Sequence, residues 1–90
     1  MISGIFWNIR GVSKAPNLRR LIKLVRIHHV QFVVICEPKL DVAKLESIRL
    51  RLSFDYVFVN HSGDIWIFYS SILVGSLMGT SDLHISIHLQ

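Results

Sequence analysis

Two short apolar runs, separated by about one helix's worth of sequence, constrain this chain more than any other feature. The first, Ile5-Phe6-Trp7, leads to Asn8, and the second, Phe32 to Cys36, leads to Glu37. Between them Leu18, Leu21, Ile22 and Val25 recur at i, i+3, i+4 and i+7, the stripe of an amphipathic helix. Arg19, Arg20, Lys23 and Arg26 fall on its remaining surface. Pro16 suits the entry to this helix, with Asn17 as its cap or, alternatively, Pro16 itself in the first turn, and His28-His29 marks the end. A strand–helix–strand crossover of this length joins parallel strands. Parallel neighbours place their carboxyl ends on one edge of the sheet, where open α/β sheets bind ligands. Asn8 and Glu37 are therefore expected to meet in space.

The remaining chain reads as further helix and strand. Phe32 to Cys36 is apolar on both faces, as in a strand covered on both sides. Pro38 ends that strand, and Asp41 suits the cap of a second helix through about Leu52, with Leu45, Ile48 and Leu52 as its inner row. After Ser53 the period becomes that of strands. Phe54 to Asn60 and Ile65 to Tyr69 form an expected hairpin about the turn His61 to Asp64. Ile72 to Met78 is expected as a third strand and Leu83 to Leu89 as a fourth. In the last run Leu83, Ile85, Ile87 and Leu89 alternate with His84, Ser86, His88 and Gln90, a strand with one wet or partner-facing side.

Composition narrows the setting. With 51% hydrophobic residues and a mean hydropathy of +0.47 over 90 residues, apolar faces should be left for something else to cover. The net charge of +4 suits a polyanionic partner. Cys36 is the only cysteine, which excludes an intrachain disulfide and points to a reducing compartment. No basic segment precedes the first apolar run, as a secretory signal would require. The longest uncharged run, Ile65 to Ser81, falls short of a membrane span and is broken by serine and glycine; two strands and a turn are expected there. The pattern stops directly after a strand, as a truncated domain would.

Glu37 stands out chemically. A carboxylate set after five apolar residues is costly to bury without a balancing cation. Arg10 or Lys39 would serve, and so would Mg²⁺, which takes oxygen ligands and needs only one or two carboxylates. Asn8 either ties down its own turn or, beside Glu37, bonds a phosphate oxygen or orients the carboxylate. Of the five histidines, His84 and His88 share a strand face but lie ~13 Å apart by the strand rise, too far to share a metal. The basic helix face offers phosphate contacts or is simply a solvated surface. Trp7 and Trp66 lie within apolar strands and are expected in the core.

These residues carry a resemblance. Trp7-Asn8-Ile9-Arg10-Gly11 followed by Ile35-Cys36-Glu37-Pro38-Lys39-Leu40 resembles the opening of the endonuclease/exonuclease/phosphatase superfamily. The likeness is strongest to the apurinic-type endonuclease domain of plant LINE retrotransposons, where W-N-x-R-G precedes a segment ending E-[TP]-K. Gly63 to Tyr69 is similar to that family's G-G-I-W-I strand, with Asp64 in place of a glycine, and Asp82-Leu83-His84 sits where Q-x-[IL]-H is often found. The resemblance implies an α/β fold, a partial two-sheet sandwich that begins with a β-α-β unit and continues in mainly antiparallel strands. It implies a Mg²⁺-dependent phosphodiesterase acting on DNA, with Asn8 and Glu37 as the catalytic pair and Glu37 as metal ligand. Arg10, Arg19, Arg20, Lys23 and Lys39 are the expected nucleic-acid contacts.

The family also draws on a tyrosine, an Asp-x-Asn pair and a late Asp-His pair. None of these later motifs falls within the 90 residues. The expectation is thus the N-terminal portion (1–90) of such a domain, catalytically incomplete as it stands. The alternative is a non-catalytic nucleic-acid-binding or assembly module that self-associates through exposed sheet edges. No membrane partner is expected.

Overall fold

The computed structural model describes residues 2–8, 15–36, 42–79 and 84–90. β1 (Ile2–Asn8), α1 (Ala15–His28) and β2 (Phe32–Cys36) form the expected strand–helix–strand unit, with both strands parallel. Pro16 occupies the first turn of α1, where its missing N–H costs nothing, and Asn17 lies inside the helix rather than capping it. The helix ends at His28, and His29 turns the chain with a φ of 50°. Gln31 then knots the segment together. Its backbone N–H donates to Ser3 O (2.8 Å), its side-chain oxygen accepts from Ser3 N (2.8 Å), and its own carbonyl accepts from Ser70 N (2.9 Å).

A turn of 3₁₀ helix, Val42–Lys44, leads into α2 (Leu45–Leu52), which closes at Ser53 in the left-handed conformation. Arg49 fixes the exit from α2: its guanidinium pairs with Glu46 and donates to Phe54 O (2.7 Å) and Asp55 O (3.2 Å). β3 (Tyr56–Val59) and β4 (Ile65–Tyr69) form the expected hairpin. After α3 (Ser71–Gly79), β5 (Ile85–Leu89) completes a single mixed sheet of order β3-β4-β2-β1-β5. β4 runs antiparallel to β2 and β3, whereas β5 returns parallel to β1. The α/β class and the β-α-β beginning are as expected.

α1 and α2 pack on one face of this sheet. Leu18 and Leu21 of α1 and Ile48 and Leu52 of α2 meet Ile5, Trp7, Val33, Ile35, Trp66 and Phe68 in one buried cluster. Each such side chain contributes about 1.5–3 kcal/mol relative to exposure. The inner row expected for α2 holds, with Leu45 packed at its margin. Trp7 and Trp66 are core residues, as their strands suggest.

The opposite face is different. Register aligns Ile87, Gly4, Phe32, Tyr69 and Tyr56 across it, then Leu89, Phe6, Val34, Ile67 and Phe58. Apart from Gly4, which is buried, these residues are half-buried or exposed; Ile2, on the same face at the start of β1, is also buried. Among the described residues β2 is therefore covered on one side only, not on both.

One expected strand is a helix. Residues 72–78 lie within α3, because a short apolar run carries no period that separates strand from helix. Capping decides it: the Ser70 hydroxyl accepts from Leu73 N (3.3 Å), and the Asp55 carboxylate accepts from Ser71 N (2.8 Å). Asp55 is sixteen residues away, so the signal is not local. The long uncharged run is thus a strand and a helix, and no helix among the described residues is long and apolar enough to cross a membrane. The first residue of the expected last strand, Leu83, lies outside the described residues, as does the helix cap expected at Asp41.

Candidate functional site

Three parallel strands, β1, β2 and β5, direct their carboxyl ends to the same edge of the sheet. Asn8 ends β1, exposed to solvent, and its register partner is Cys36, the residue that precedes Glu37 in sequence. The two strands that carry the motifs therefore leave the sheet side by side. Glu37, Arg10 and Lys39 lie outside the described residues. At this edge Asn8 stands exposed at the end of β1, while the carboxylate of the expected pair is known from sequence alone.

The β3–β4 turn reaches the same edge, since Ile65 pairs with Cys36. Its geometry answers the departure at Asp64. The Asp64 carboxylate accepts from Ser62 Oγ (2.6 Å) and from the Asn60 amide (2.6 Å), and the Asn60 oxygen accepts from Ile65 N (3.0 Å). The Ser62 hydroxyl, then the Asn60 amide, hold Asp64 below the ordinary carboxylate pKa. Gly63 takes a φ of 77°, and its carbonyl accepts from the Trp66 indole (3.1 Å). Asp64 therefore works as a turn residue, with Oδ1 accepting from both Ser62 and Asn60.

The basic residues of α1 divide into two kinds. Arg19, Lys23 and Arg26 stand on the outer face, where with Ile22 and Ile27 they line a shallow cavity of about 340 Å³. Arg20 is engaged: its guanidinium lies 5.4 Å from the centre of the Trp7 ring and donates to the Gln90 side-chain oxygen at 3.4 Å. It braces the carboxyl end of β1 against the last strand. A second cavity, also about 340 Å³, opens at the far end of the sheet and is lined by Arg26, His29, Arg51, Phe54 and Ile72 among others.

Two contacts have no signature in the sequence. His28 of α1 and His88 of β5 stack with ring centres 4.1 Å apart. Sixty residues separate them, so only the β1–β5 pairing reveals the meeting. Gln31 reads as an ordinary linker residue, yet it ties three elements. Among the described residues there is no group of three or more His, Cys, Asp or Glu side chains placed to hold a metal ion. Comparison with protein families, with curated proteins and with solved structures found no match for this chain.

Proposed function

We propose that these 90 residues form the opening portion of a Mg²⁺-dependent phosphodiesterase-like domain, of the endonuclease type associated with LINE retrotransposons. The observation that carries this reading is the parallel pairing of Asn8 with Cys36. It brings Trp7-Asn8, the start of W-N-x-R-G, and Cys36, which precedes Glu37 in sequence, to one sheet edge, where open α/β sheets bind ligands. Glu37 would hold the ion and Asn8 would bond the phosphate or orient the carboxylate. Bound there, Mg²⁺ would polarise the phosphate and stabilise the leaving oxygen. Within these residues the site is half assembled, because the Asp-x-Asn and Asp-His motifs are not among them.

Mn²⁺ titration followed by NMR tests the reading. The Asn8 side-chain amide and the Glu37 backbone should broaden together at millimolar metal, and Glu37→Gln should abolish both effects. Broadening that spares Asn8, or that survives Glu37→Gln, would sink the proposal. In Mg²⁺ the 90-residue chain should nick plasmid no faster than its Glu37→Gln variant.

A second reading rests on the outer face of α1, where Arg19, Lys23 and Arg26 stand free of the sheet. There the chain would bind DNA without cutting it. Three phosphate contacts would give a log–log salt slope of about −3, unaffected by Glu37→Gln and weakened by Arg19→Ala.

A further inference from the structure

The second face of the sheet, open among the described residues except for the buried Ile2 at its amino end, is apolar from one edge strand to the other. Phe6, Tyr56, Phe58, Ile85, Ile87 and Leu89 are between 38% and 76% exposed there. At roughly 100 Å² for each half-exposed large side chain, these six alone offer ~600 Å². Val34, Ile67 and their neighbours add the half-buried centre. The total approaches the ~800 Å² per partner that a stable interface needs, and exceeds the apolar patch that monomers usually tolerate.

We propose that this face docks a second copy of the chain, sheet against sheet. Charge favours that occupant. The two register rows contain no ionisable group except the phenols of Tyr56 and Tyr69. Two molecules of net charge +4 can therefore meet there without opposing like charges, whereas a polyanion finds nothing to pair with. The geometry is that of a β-sandwich, with sheets about 10 Å apart and strands inclined by about 30°. Because the same patch serves both partners, the dimer closes on itself. Val34 lies on β2, the central strand, and so packs near its own counterpart. Edge pairing is less suited, since the edge strands β3 and β5 are only four and five residues long. The proposal concerns these 90 residues, whose open face a second copy would cover as the second sheet does in a complete two-sheet sandwich; it uses neither Asn8 nor Glu37.

Sedimentation velocity of the 90-residue chain between about 1 and 100 µM tests it. The expected result is a reversible monomer–dimer equilibrium within that range, as interfaces of this size commonly give. Ile67→Lys at the centre should weaken the dimer at least about tenfold, Leu89→Lys at the margin less, and Ile27→Lys on exposed α1 not at all. The emission of Trp66, buried under the helices, reports whether each variant keeps its fold; should Ile67→Lys lose it, Leu89→Lys decides. A monomer throughout would overturn the proposal. So would a dimer indifferent to both lysines, or an open-ended polymer, the mark of edge pairing.

Discussion

The two faces of the sheet are built from alternate residues of the same strands and differ little in hydrophobicity. On one face Ile5, Val33, Ile35, Trp66 and Phe68 are wholly buried beneath α1 and α2. On the other Phe58, Ile87 and Leu89 stand more than half exposed. Strand sequence alone sets neither outcome. What differs is whether a helix with a matching stripe lies above, and the stripes of α1 and α2 suffice for one face only.

That contrast can be broken by substitution. The largest effect is expected from Trp66→Ala, which empties the centre of the covered face and should cost about 3–5 kcal/mol in urea unfolding. A loss below about 1 kcal/mol would mean that the helices do not seal the core. Gly4→Ala comes next. A Cβ there meets the Phe32 ring on the open face, so the strand or the ring must shift, at about 1–3 kcal/mol if the ring is held. If nothing covers the face, Phe32 swings aside and the loss should sit at the low end of that range.

Phe58→Ser should change stability by no more than about 0.5 kcal/mol, measured at dilutions where the melting temperature no longer depends on concentration. A larger loss would show that the open face is packed within the single chain.

The smallest effect belongs to the carboxylates that anchor the ends of the hairpin. The Ser71 backbone N–H, then its hydroxyl, lower the pKa of Asp55, as Ser62 and Asn60 lower that of Asp64. In the unfolded chain both return to about 4. Their contribution is therefore complete above that pH and is lost as pH falls through the lower folded values. Asp64→Asn together with Asp55→Asn should flatten the acid limb of a stability-versus-pH curve and leave the neutral region's slope unchanged. An acid limb as steep as in the parent chain would remove these two groups from the account.

What is legible in the sequence depends on where the information sits. α1 carries a period within its own residues, and β1, β2 and the hairpin are short β-branched and aromatic runs bounded by turn residues, so each can be placed from sequence. α3 reads as a strand because its fate is set by Ser70 and by Asp55, a residue sixteen positions away. The alternation of β5 is legible, but its facing is not. Ser86 and His88 turn toward the helices, while Ile85, Ile87 and Leu89 turn to the open side. The parallel register with β1 and the His28–His88 stack fix that choice, and both are long-range. Of the candidate site, the meeting of the Asn8 and Cys36 ends of the strands is predictable, because a crossover of this length leaves few other arrangements. The structural use of Asp64 is not, since it depends on Ser62 and Asn60 closing around it.

The pairing of β1 with β5 has a consequence for the chain as it is made. Ile2 lies opposite Ile85, so an early strand completes its hydrogen bonding only with a late one. At about 5–20 residues per second, synthesis separates the two by roughly 4–16 s. Through that interval one edge of β1 lacks the partner that will close it, a template on which another strand could pair.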